Sequence, residues 1–226
     1  MIRWVELASA TMPNNGGELR LMQRGSEYSI MSGPIELMNS RLSGSETALA
    51  RLAFDAVGGR PGARILIGGL GMGFTLRAAL AAFADDARMT VSEIVPAVTD
   101  WARGPLADLY AGSLDDPRVT LHDGDVSGLI RAGEAAYDAI LLDVDNGPQG
   151  LTRKENDRLY SIAGLYAARR ALTPGGLLAV WSAAPSAAFV QRLRDAGFTV
   201  EEVGVRANGA KGARHLIWMA RSPGIS

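Results

Sequence analysis

The chain has 226 residues with 27 glycines, no cysteine, and 23 basic against 24 acidic side chains, enough for one domain of ordinary size. Without cysteine there is no disulfide framework, thiolate metal site or cysteine nucleophile, and with two histidines only, His122 and His215, a structural zinc site falls away as well. A net charge of −1 gives no reason to expect nucleic acid as a partner.

No run approaches the roughly 18 consecutive apolar residues of a membrane helix. The stretch MIRWVELASATMP, interrupted by Glu6, lacks the apolar core of a signal peptide, so a cytoplasmic protein with no membrane partner is expected. Over residues 1–45, ELRLMQRGSEYSIMSGPIELMNS shows short alternating stretches separated by Gly and Pro, which predicts a small β-hairpin or meander. SGSETALARLAFDAV then reads as a helix, with Ser45 as N-cap and Leu49, Leu52, Ala53 and Ala56 at helical spacing. Gly58-Gly59-Arg60-Pro61-Gly62 ends it.

From residue 63 strand alternates with helix, and residues 46–226 read as one α/β domain. ARILIGG is an apolar run suited to a strand buried on both faces, and GFTLRAALAAFAD follows as a helix. MTVSEI is a second strand, and PAVTDWARGPLADLYAG a helix opened by Pro96. RVTLHDGD, a short helix VSGLIRAG, and the strand YDAILLDVD come next. A helix from Asp157 to Leu172 is predicted to stop at Pro174 and Gly175. LLAVWSA, the helix PSAAFVQRLRDAG, and two final strands joined as a hairpin complete the chain. Five β-α units and a terminal hairpin imply a mostly parallel sheet with an antiparallel pair at its end, and a ligand at the carboxyl ends of the strands.

Gly68-Gly69-Leu70-Gly71-Met72-Gly73 joins the first parallel strand to its helix. There, glycines let the backbone approach a nucleotide-like ligand and the helix N-terminus offers free amides. Glu93 ends the second strand, placed to accept hydrogen bonds from both hydroxyls of a ribose. Asp123-Gly124-Asp125 ends the third strand and Asp143-Val144-Asp145 the fourth. Three strands thus bring like charges to one edge, a costly arrangement unless a ligand uses it. Two readings fit, a dinucleotide enzyme or an S-adenosylmethionine transferase; the tight Gly69-x-Gly71-x-Gly73 spacing and the terminal hairpin favour the second. Asn156, Asp157 and Tyr160 are candidates for an acceptor pocket. Trp181 is read as a buried structural ring, His122 as a satisfied strand residue, and Arg206, Lys211 and Arg214 as a solvated hairpin turn.

RILIGGLGMG, VSEIVPAVTDWAR, LHDGD, YDAILLDVDNGP and YAARRALTPGGLLAV, in this order and spacing, resemble the spermidine synthase (polyamine aminopropyltransferase) family. The resemblance implies a Rossmann-like, seven-stranded methyltransferase sheet with a short N-terminal β-region. It also implies a homodimer, a small-molecule acceptor, and no metal. It assigns Gly68, Gly69, Gly71, Gly73, Glu93 and Asp125 to the nucleoside donor, Glu93 holding the ribose and Asp125 the adenine amino group. It makes Asp143, with Asp145 nearby, the base or orienting group for an attacking amine. Glu46 matches the one retained member of the family's Tyr-Gln-Glu acceptor segment, which aligns with Gly44-Ser45-Glu46.

Gly71 stands where the family's G-G-G-D-G-G loop has an aspartate that contacts the aminopropyl ammonium. Losing it removes repulsion from the carboxylate of ordinary S-adenosylmethionine and leaves room for that group. Methyl transfer from S-adenosylmethionine to a small-molecule acceptor is therefore the first expectation. Aminopropyl transfer from decarboxylated S-adenosylmethionine is the alternative, and a non-catalytic nucleoside-binding homologue the third reading.

Overall fold

The computed structural model describes residues 2–13, 16–144, 156–208 and 211–224, without the side chains of Asn156, Asp157 and Lys211. Four strands, β1 (Val5–Thr11), β2 (Glu18–Arg24), β3 (Glu27–Ser32) and β4 (Ile35–Asn39), form an antiparallel meander in chain order. Gly25 and Gly33, both with positive φ, turn the chain between strands. Helix α1 (Gly44–Val57) follows, starting two residues earlier than the sequence reading placed it. Its N-cap is Ser43, and Ser45 is not the cap because its hydroxyl is committed elsewhere, to Glu46 and His215.

The second sheet has seven strands: β5 (Arg64–Gly68), β6 (Arg88–Glu93), β7 (Val119–Asp123), β8 (Tyr137–Leu142), β9 (Leu172–Ser182), β10 (Thr199–Asn208) and β11 (Lys211–Arg221). Their order is β10-β11-β9-β8-β5-β6-β7, parallel from β7 to β9, with β11 antiparallel to both β9 and β10. The connecting helices are α2 (Phe74–Ala82), α3 (Pro96–Arg103), α4 (Ala107–Tyr110), α5 (Val126–Ala132), α6 (Asn156–Leu159), α7 (Ile162–Ala171) and α8 (Ala187–Asp195).

Strand alternation divides the core into two layers. Ile65 and Ile67, Ala139 and Leu141, Leu177 and Ala179, and Ile217 pack on the face shared with α1 and α2. Their neighbours Leu66, Ile140, Leu142, Leu178, Val180 and Trp218 pack on the other face, with Leu165 of α7 and Phe189 of α8. Each fully buried aliphatic side chain contributes about 1.5–3 kcal/mol.

Two predicted helices are divided. Gly104 and Pro105 separate α3 from α4. Ser161 separates α6 from α7, its backbone extended and its Oγ accepting from Gly164 N at 3.1 Å. The TPGG segment also lies inside β9 instead of ending a helix: α7 stops at Ala171, and Leu172 is already extended and pairs with Tyr137. Thr173 Oγ1 donates to Asp138 Oδ1 at 2.9 Å and Arg60 donates to the same carboxylate oxygen, which holds the segment to the sheet through a bulge. The Arg60 and Thr173 contacts and the Arg64 backbone amide together hold Asp138 below the usual carboxylate range, against the opposing effect of its burial.

The chain lays β6 and β7 outward on one side of β5 and then returns to place β8 on the other. The order therefore reverses between β5 and β8, and the crevice opens at their carboxyl ends. Among the described residues no helix is long and apolar enough to cross a membrane.

Candidate active site

The glycine turn runs along the floor of that crevice. Gly69, Gly71 and Gly73 have φ of +92°, +52° and +75°, values that side chains on L-residues rarely allow. A Cβ at Gly73 would lie 2.5 Å from Tyr110 Cε1, and one at Gly69 would collide with the Asp143 carbonyl oxygen. The turn is held from both sides. Leu70 N donates to Glu93 Oε2 at 3.0 Å, and Tyr110 Oη donates to the Gly71 carbonyl at 2.7 Å. The other Glu93 oxygen accepts from Val95 N at 2.9 Å. Burial pushes the Glu93 carboxyl up, while the Val95 and Leu70 amides oppose it.

Asp143 leaves the end of β8, its backbone N donating to the Gly68 carbonyl at 3.0 Å. Its Oδ2 accepts from Thr75 Oγ1, on the first turn of α2, at 2.8 Å. Burial first, and the charge of Glu46 second, push its pKa up to about 7, against the pull of the Thr75 hydrogen bond. A buried carboxylate poised near neutrality suits general-base work.

Two cavities meet over Asp143. The larger, about 300 Å³, is lined by Ser45, Glu46, Phe74, Trp181 and His215 among others. The smaller, about 120 Å³, is lined by Gly69, Glu93, Ile94, Asp125 and Val126. Leu37, Met38, Gly71 and Asp143 belong to both. Among the described residues no lysine or arginine lines either one, and the charged side chains that do are the carboxylates Glu46, Glu93, Asp125 and Asp143. Asp125, at the rim, also caps α5, accepting from Ser127 N at 2.8 Å and Ser127 Oγ at 2.6 Å.

Several sequence expectations change. Tyr160 is not a pocket residue: 1% exposed, it packs edge-on to Phe189 in the layer under α7 and α8. Trp181 is not simply structural, for it lines the larger cavity and meets His215 at 4.7 Å between ring centres. A Cβ at Gly71 would lie 3.2 Å from Met38 Sδ, so the meander reaches over the glycine turn at this point. Asp145 and the Asn156 and Asp157 side chains lie outside the described residues. His122 lines neither cavity, and Arg206 stays with its hairpin, facing Arg214 in register. Thr75, His215, Met38 and Tyr110 were missed. Of these only Thr75 had a local signal, as a hydroxyl just past the glycine turn.

No family model matches the chain. A polyamine aminopropyltransferase from Mycobacterium tuberculosis is 34% identical over 117 residues, 48% of this chain and 22% of its own length. One from Streptomyces coelicolor is 35% identical over 127 residues, 55% of this chain and 23% of its own. The chain thus spans under a quarter of these two relatives. The fold match is broader: the Thermotoga maritima spermidine synthase superposes with a TM-score of 0.77 over 96% of this chain and 72% of its own, at 17% identity. The chain has the spermidine synthase fold, and about half of it is similar in sequence to polyamine aminopropyltransferases. A spermidine synthase crystallised with the transition-state analogue AdoDATO has the same fold, with a TM-score of 0.74, 17% identity, and coverage of 96% of this chain and 72% of its own. A putrescine N-methyltransferase from Nicotiana tabacum is also similar, 34% identical over 116 residues, 51% of this chain and 28% of its own. Methyl and aminopropyl transfer are therefore both named among its relatives.

Proposed function

We propose that this chain transfers an aminopropyl group from decarboxylated S-adenosylmethionine to a small amine. The single observation that carries the reading is the charge of the crevice: Glu46, Glu93, Asp125 and Asp143 line it and no described lysine or arginine does. A donor cation without a carboxylate suits such a site, and so does an ammonium acceptor. The carboxylate of ordinary S-adenosylmethionine, brought near Asp143 with no cation among the described residues to meet it, loses about 2 kcal/mol, roughly thirtyfold in affinity. This reverses the preference drawn from Gly71 alone, because one missing aspartate weighs less than the four carboxylates that line the crevice.

The residues present fit a nucleoside donor. The positive-φ glycines keep the floor of the smaller cavity free of side chains, Glu93 lies at its base, and Asp125 at its rim. When bound, the donor supplies an electrophilic carbon on a sulfonium leaving group. Asp143 takes the proton released as the acceptor nitrogen forms its new N–C bond, and Thr75 keeps the carboxylate aimed. Glu46 faces the acceptor cation from the larger cavity.

The direct test is the product formed from putrescine with each donor, read by mass spectrometry. The expected product is the aminopropyl adduct, at least about tenfold faster than any product from S-adenosylmethionine. A methylated amine from S-adenosylmethionine, with nothing from the decarboxylated donor, would overturn the reading. Methyl transfer is the second reading, favoured by the absence of an aspartate at Gly71.

The pH dependence follows from Asp143. Its base form is present above about 7, so kcat/KM should rise with pH through that value. Free amine also rises with pH, but variants separate the two causes. Thr75→Val removes a hydrogen bond that lowers the Asp143 pKa and should move the midpoint to higher pH. Glu46→Gln removes a charge that raises it and should move the midpoint lower. Two pH profiles superimposable on the wild type would exclude Asp143 as the titrating base.

A further inference from the structure

Ser45 has one hydroxyl proton and two partners. Its Oγ donates to Glu46 Oε2 at 2.8 Å and stands 3.0 Å from His215 Nδ1. A carboxylate only accepts, so the serine proton is committed to Glu46 and the serine oxygen is left to accept from the ring. His215 therefore carries its proton on Nδ1, and the lone pair is on Nε2. That nitrogen has no hydrogen bond to any described residue, and the ring lines the larger cavity.

The ring is held in place and kept neutral. The edge of Trp181 on β9 packs against it at 69°, and Val205 of β10 faces it in register. Burial lowers the His215 pKa, with the charge of Glu46 opposing. Among the described residues, the titratable groups that line the cavity with it are Glu46, from α1, and Asp143, at the end of β8. Both are carboxylates, so the larger cavity presents hydrogen-bond acceptors on two sides. Asp143 stands where the two cavities join, whereas Glu46 and His215 belong to the larger one alone.

We propose that His215 is a binding residue for the acceptor, its Nε2 lone pair taking an N–H from the acceptor's distal nitrogen while Asp143 faces the reacting one. The inference rests on the transferase reading above and adds to it a specificity element at a distance of 170 residues from its partner Ser45. It makes the larger cavity selective for acceptors with a second N–H group. A chain that ends in a methyl group leaves the Nε2 lone pair and Glu46 unmet.

The experiment compares putrescine with butylamine in the wild type, His215→Phe and His215→Gln, with donor binding measured separately by calorimetry. Phenylalanine keeps the ring packing against Trp181 and removes both nitrogens; glutamine returns an acceptor oxygen near the place of Nε2. The expected result is an increase of about tenfold or more in the KM for putrescine in His215→Phe. Butylamine and the donor should be nearly unaffected, and glutamine should recover most of the loss. Equal losses for both amines, or wild-type KM values in His215→Phe, would overturn the assignment. A wild type that binds no decarboxylated donor fails the transferase reading itself and takes this inference with it. Nitrogen NMR of the imidazoles reads the same point without turnover. His215 should show a protonated Nδ1 and an unprotonated Nε2 whose signal moves on adding putrescine; the opposite tautomer would refute the lone-pair placement.

Discussion

Asp143→Asn should turn over at least about a hundredfold more slowly than the wild type, and at about pH 8 it should also be the more stable protein. The kinetic loss follows because asparagine cannot accept the proton of the attacking amine, although its amide oxygen can still accept the Thr75 hydroxyl. The stability gain follows from linkage. The carboxyl has a folded pKa raised to about 7, above its ordinary value of 3.8. Its contribution is therefore intact below about pH 4, is lost as pH rises toward about 7, and stays lost above that. The gap between the two values caps the gain at about 4 kcal/mol, and relaxation around the buried group leaves about 1–3 kcal/mol. Urea melts at about pH 4 and pH 8 check both halves: the two proteins should agree at the lower pH and diverge at the higher. An asparagine variant less stable than the wild type at both would show that the Asp143 charge is not under strain.

Gly69→Ala should be the most damaging single methyl in the turn, with a loss of about 3 kcal/mol or more. The backbone there has φ +92°, and the new Cβ would press on the carbonyl oxygen of Asp143, an atom of the main chain that cannot swing aside. Gly112→Ala is the control: its φ is +77°, but nothing lies within 4 Å of the added carbon. It should cost about 1–2 kcal/mol from conformation alone. Chemical denaturation of the two variants separates strain from collision. Equal losses would mean that the strand end carrying Asp143 yields easily to pressure from the turn.

Much of the architecture was legible because strand runs such as ARILIGG and YDAILLDVD are continuous and apolar, as strands covered on both faces must be. The glycine turn, Glu93 and Asp143 were legible for the same reason, since each sits where a predicted strand ends. What failed was what depends on distant partners. Ser45 looked like a helix cap, but its hydroxyl is taken by Glu46 and by His215 from the last strand. Tyr160 followed the acidic loop in sequence, yet its ring turns into the layer beneath α7 and α8. TPGG looked like a stop signal, and the Asp138 carboxylate draws it into the sheet. Met38 could not be assigned at all, because nothing in the meander's own sequence tells which strand of the other sheet it will face.

Met38 and Leu37 come from the small antiparallel sheet, while Asp143 and Glu93 stand at strand ends of the large one and Thr75 on the helix that follows its glycine turn. One wall of the chamber is thus on a different hydrogen-bonded framework from the groups that act. A lineage can recut the chamber by drift in a five-residue strand, Ile35–Asn39, without disturbing the carboxylate that does the chemistry. For an engineer the same separation makes those five positions the natural place to randomise when a different amine is wanted.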